Sequence, residues 1–112
     1  MIPRPRFYVK RIPLGMLEEK RASGMLLIVV DEDLRDHAIM NPEGDVITIP
    51  LRGHRMKEEE LREILRKADG ATLIGEHAVG IAIDEGLIDR KSIVYLEDES
   101  GRKVPYAVFI RI

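Results

Sequence analysis

The segment Gly75 to Asp84 holds the densest set of groups able to do chemistry. On a helix, at about 100° per residue, Glu76, His77, Gly80 and Asp84 share an arc of about 100°. Two carboxylates and an imidazole on one face can ligate a divalent metal or move protons. Gly80 would leave a dent beside them where a ligand or a partner backbone approaches. Two histidines one turn apart, the usual helical zinc signature, are absent. His37 and His54 belong to distant segments. No metal, no cofactor and no catalytic residue is therefore assigned, and a polar, solvated helix face accounts for the same residues. A second acidic group, Asp31-Glu32-Asp33, follows the apolar run Met25 to Val30. Clustered carboxylates after a central strand can hold magnesium or act as acids and bases. They serve more simply as an N-cap and as charge complementing a helix dipole.

The first strand offers a different kind of site. Side chains alternate between faces, so Arg4, Arg6, Tyr8 and Lys10 share one face and Phe7 and Val9 the other. Cations around a ring are what single-stranded RNA needs: charge for phosphate, a ring for base stacking. Arg52, His54, Arg55 and Lys57 extend the basic character. A solvated face in a charge-rich protein is the plainer alternative.

Composition limits what these groups can be part of. The chain has 112 residues, 45% apolar and 34% charged, with a formal net charge of −2. That length and apolar fraction fit one folded domain, residues 1–112. The net charge excludes a strongly cationic whole-molecule field. It is uneven, however: residues 1–21 carry a local +4 and the remainder −6. There is no cysteine, which removes disulfides, thiolate metal sites and cysteine nucleophiles. The longest apolar run is six residues, against the roughly 20 of a membrane-spanning helix. With no apolar leader in the opening MIPRPRF, the expected location is cytoplasmic. Glutamine is absent, Asn41 is the only asparagine, and arginine outnumbers lysine 12 to 6. Few thermolabile amides with high charge is a hyperthermophile pattern. No phosphate loop or nucleophile elbow occurs.

These groups must be positioned by a small set of elements. Arg6 to Ile12 alternates and reads as a strand, placed at a sheet edge by Pro3 and Pro5. Met25 to Val30 reads as a buried central strand. A helical turn is expected over Asp33 to Met40, a turn at Asn41 to Asp45, and a strand over Val46 to Ile49. Leu61, Ile64, Leu65 and Ala68 recur at helical spacing, with Glu58 and Arg62 a favourable i, i+4 pair and Gly70 placed to cap the C-terminus. Thr72 is expected to open a second helix running to about Glu85. Ile93 to Glu97 and Val104 to Ile112 read as a closing hairpin around Asp98-Glu99-Ser100-Gly101. The expected fold is α+β: a single mixed or antiparallel sheet of about five strands with two main helices packed on one face. The helix–turn–helix around Asp69-Gly70-Ala71 does not predict DNA binding, because Glu76 and Asp84 would repel phosphate.

Three stretches carry a resemblance: LLIVVDEDL (Leu26 to Leu34), LREILRKADGATLIGEHAVGIAIDEGLID (Leu61 to Asp89) and VPYA (Val104 to Ala107). Together they resemble the archaeal family known as domain of unknown function 424, over about Arg6 to Ala107. The chain departs from that family's pattern in three places. Pro105-Tyr106-Ala107-Val108 stands where Pro-His-Ala-Gln is common. Arg35 and Asp36 stand where a glycine is usual, and Thr72 where an asparagine is usual. The resemblance implies an archaeal source and assigns no activity.

The sequence favours a binding module over an enzyme. The leading expectation is an RNA- or ribonucleoprotein-associated module using Arg4, Arg6, Tyr8 and Lys10. The alternative is a small-molecule- or metal-dependent enzyme built on Glu76, His77, Gly80, Asp84, Asp31 and Asp33; a third is a protein-interaction scaffold. Neither DNA nor a membrane is an expected partner. A homodimer is expected through the C-terminal strand, whose apolar faces make it a template for pairing if it lies at an edge.

Overall fold

The computed structural model describes residues 4–13, 24–34, 38–40, 43–48 and 53–111. The chain is α+β, with two α-helices and one mixed sheet. Among the described residues that sheet has eight strands, in spatial order β4-β3-β7-β8-β6-β2-β1-β5. The expected count of about five falls short because three strands are only three or four residues long: β3 (Ala38–Met40), β4 (Val46–Thr48) and β5 (His54–Lys57). Such pieces carry no readable periodicity. Most of Asp33 to Met40, expected as a helical turn, is instead a 3-10 turn at Glu32–Leu34 and then β3. Residues 35–37, with His37, lie outside the described residues, as do Asn41, Pro42 and Arg52.

The sheet centre is built as the sequence dictates. β1 (Arg6–Pro13) pairs antiparallel with β2 (Met25–Asp31), Val9 opposite Val29. Yet β1 is not an edge: β5 covers its other side, with Tyr8 opposite Arg55 and Arg6 opposite Lys57. The chain then forms α1 (Glu58–Lys67) and returns as β6 (Gly70–Ile74), parallel to β2. This corrects two expectations. Gly70 does not cap α1, and Thr72 does not open the second helix; both are strand residues. The helix–turn–helix is absent with them. α2 spans only Glu76–Asp84. Gly75 forces the break, because its φ of +115° lies in the left-handed region that favours glycine.

β7 (Val94–Asp98) and β8 (Lys103–Ile110) form the expected hairpin, Val94 opposite Tyr106. Asp98 ties its loop. Its carboxylate accepts from Ser100 N at 2.9 Å, Ser100 Oγ at 2.6 Å and Arg102 N at 2.9 Å, and the Ser100 bond leads in holding it below the usual carboxylate range. β8 pairs on its far side with β6. The C-terminal strand is therefore interior, and the expected dimer through its free edge is corrected: β4 and β5 are the edges.

Both helices cover one face. Leu61 and Leu65 of α1 and Ala78, Val79, Ile81 and Ala82 of α2 pack onto Phe7, Val9, Leu27, Val29, Ala71 and Leu73. Glu58 to Glu60 open α1 and Arg66 and Lys67 close it, each matching the helix dipole. Arg111 adds a cation at that end, donating to the carbonyls of Ala68 at 2.8 Å and Leu65 at 2.9 Å. On the opposite face a smaller cluster of Val30, Leu34, Ile39, Ile74, Leu96 and Val104 fills one end only.

Candidate functional site

The acidic groups come together around the start of α2. Asp31 ends β2, beside the parallel strand β6, and its buried carboxylate reaches across to the helix. Oδ2 accepts from His77 N at 2.9 Å and Oδ1 from Ala78 N at 2.8 Å. These are orphan donors of a helix N-terminus, so Asp31 caps α2 through space. Gly75 makes room for it: a Cβ there would sit 2.4 Å from Asp31 Cγ. Burial pushes the Asp31 carboxyl up to about 6, against the pull of its two backbone bonds and of His77; Asp33 adds a smaller push upward.

This arrangement redistributes the expected site. Asp31 is committed to the cap. Glu76, His77 and Gly80 are exposed on α2, and Asp33 is exposed after β2. Asp84 turns to α1, accepting from Arg62 Nη1 at 2.8 Å. Arg62 also binds Glu85 at 2.9 Å and Glu58 at 3.0 Å, and Arg66 Nε reaches Glu85 at 2.7 Å. These bonds, from Arg66 first and then Arg62, draw the Glu85 carboxyl down to about 2. Sequence spacing shows the Glu58–Arg62 pair but not the interhelical one. Among the described residues, no group of three or more His, Asp and Glu side chains is arranged to hold a metal ion.

The basic groups gather on the open face. Residues opposite one another in a ladder share a face. Arg6, Tyr8 and Lys10 therefore stand beside Arg55 and Lys57 of β5. His54 is opposite Val9 and belongs to the other face. Arg4 lies 3.4 Å from Glu59, both well exposed, a pair worth at most about 1 kcal/mol. Arg6 donates to the carbonyls of Arg4 and Pro5 at 3.3 Å. Arg55 binds Glu32 through two guanidinium nitrogens, which raises its pKa.

The sequence reading missed what adjoins them. The register continues Lys10–Ile28–Thr72–Val108 and Ile12–Leu26–Gly70–Ile110 across β1, β2, β6 and β8. Ile28 is half-buried, while Ile12, Val108 and Ile110 are 37%, 45% and 67% exposed. An apolar floor thus runs from the basic flank across four strands. Alternation along β8 pointed to this face, but only strand order joins it to Lys10.

Comparison with known proteins bears on family and fold. The model of a family described as "Protein of unknown function (DUF424)" matches residues 51–106, half the chain. A crystal structure of an uncharacterized conserved protein from Methanopyrus kandleri superposes with a TM-score of 0.61 at 20% identity, covering 96% of this chain and 94% of that one. That likeness is one of fold. No curated protein matches. No helix among the described residues is long and apolar enough to cross a membrane.

Proposed function

The chain belongs to the DUF424 family, and we propose that it is a single-stranded RNA-binding module that lays RNA across the open face of its sheet. One observation carries this reading: the cations of β1 and β5 surround Tyr8 and adjoin the exposed apolar floor of Ile12, Val108 and Ile110. Phosphates favour the basic flank, and unstacked bases favour a ring and an apolar surface. A duplex keeps its bases stacked and offers the floor nothing. The formal charge of −2 fits modest, salt-sensitive affinity rather than tight non-specific binding. The enzyme alternative loses support because Asp31 is used as a helix cap and Asp84 as an ion-pair partner.

Fluorescence anisotropy with a labelled uridine oligonucleotide tests the proposal. Charge reversal at Arg6 and Lys10 together is expected to weaken binding at least about tenfold and to lower the salt slope by about 2. Unchanged affinity in the double variant removes this face as the site.

A further inference from the structure

The helix-covered side of the molecule carries a second surface that the RNA reading does not use. Between α2 and β7 lies a groove of about 340 Å³ lined in part by Glu76, Val79, Gly80, Ile83, Arg90 and Tyr95. Gly80 sits in the middle of α2 with ordinary helical backbone. Glycine there costs about 1 kcal/mol relative to alanine. The two intramolecular reasons for a helical glycine both fail. Its φ is not left-handed, and an added Cβ would meet nothing within 4 Å. Close approach by something outside the chain is the remaining physical reason. Tyr95, 57% exposed beside the groove, is the kind of side chain that anchors such contacts.

The charges of the groove select the occupant. Glu76 stands at the N-terminal end of α2, and Arg90 follows its C-terminal end; among the described residues neither forms an ion pair. One end is acidic and the other basic, so the surface is complementary to itself under a two-fold axis. We propose that it is a homodimer interface in which α2 packs antiparallel against α2 of a second copy, crossing at Gly80. Glu76 then faces the partner's Arg90, and the helix dipoles oppose. A standard interface takes about 800 Å² from each copy, roughly a tenth of the 7644 Å² surface. The open sheet faces stay outward in such a dimer, so the inference stands apart from the RNA reading.

Sedimentation equilibrium from about 1 to 100 µM tests it. The expected mass is twice the 12.8 kDa chain. Glu76→Arg and Arg90→Glu should each raise the dimer dissociation constant at least about tenfold, and the two together should restore it. Gly80→Leu should abolish the dimer while melting no lower than the wild-type monomer, since nothing within the chain opposes a side chain there. A wild-type monomer throughout assigns the groove to another occupant and overturns the proposal. So does a dimer that survives both charge reversals and Gly80→Leu.

Discussion

Beneath the helices, Phe7, Val9, Leu27, Val29 and Leu73 are at most 1% exposed; across the same strands, Val108 and Ile110 on the opposite face stand 45% and 67% exposed. Each central strand feeds both faces by alternation, so the difference lies in what each face is packed against. The helix side carries two helices and the larger core. The open side is filled only toward the Val30–Ile74–Val104 end, by Leu34 and Ile39. Apolar side chains left uncovered after folding are available for contact, and here they adjoin the cations of β1 and β5.

Mutations should separate the faces sharply. Leu73→Ala removes buried methyl groups from the centre of the helix-side core and should cost about 3–5 kcal/mol by denaturant unfolding. Val108→Ala on the open face should change stability by no more than about 0.5 kcal/mol. Comparable costs would mean that the open face is packed in solution.

Between these extremes lies the Asp31 cap, where the helix side meets the strand ends. Its carboxyl is raised from 3.8 to about 6. The folded state thus binds the proton more tightly than the unfolded chain. Stability contributed by this group is full below the unfolded value, near pH 4, and falls as pH rises through about 6. At 1.36 kcal/mol per unit the loss is up to about 3 kcal/mol. Chemical denaturation at pH 4 and pH 7 should show that decline in the wild type and a flatter profile in Asp31→Asn. Parallel profiles would mean that the two backbone bonds and His77 offset burial fully. Asp98 illustrates that balance, since Ser100 and Arg102 hold its equally buried carboxylate low.

Much of the helix side was legible from local pattern. Leu61, Ile64, Leu65 and Ala68 announce α1, and alternation around Gly101 announces the closing hairpin. The stretch Gly70 to Ile74 misled because a strand buried on both faces gives an apolar run with no period of its own. Ile74, Ala78 and Ile81 then chance upon helical spacing. Only Gly75, needed for its φ and for the space beside Asp31, marks the break. β5 could not be read because its sequence, His-Arg-Met-Lys, has one apolar residue. For the candidate site, alternation along β1 grouped Arg6, Tyr8 and Lys10. The apolar floor needed the order β8-β6-β2-β1, which is a property of long-range pairing. The same order moved β8 from edge to interior.

Amide chemical-shift mapping with a short uridine oligonucleotide tests most directly whether the open face is the binding face. Shifts are expected along β1, β2 and β8, centred on Tyr8, Lys10, Ile28 and Val108, with the amides of α2 unmoved. Shifts confined to Glu76, His77 and the Asp31 to Asp33 segment, or no shifts in low salt, would contradict the account.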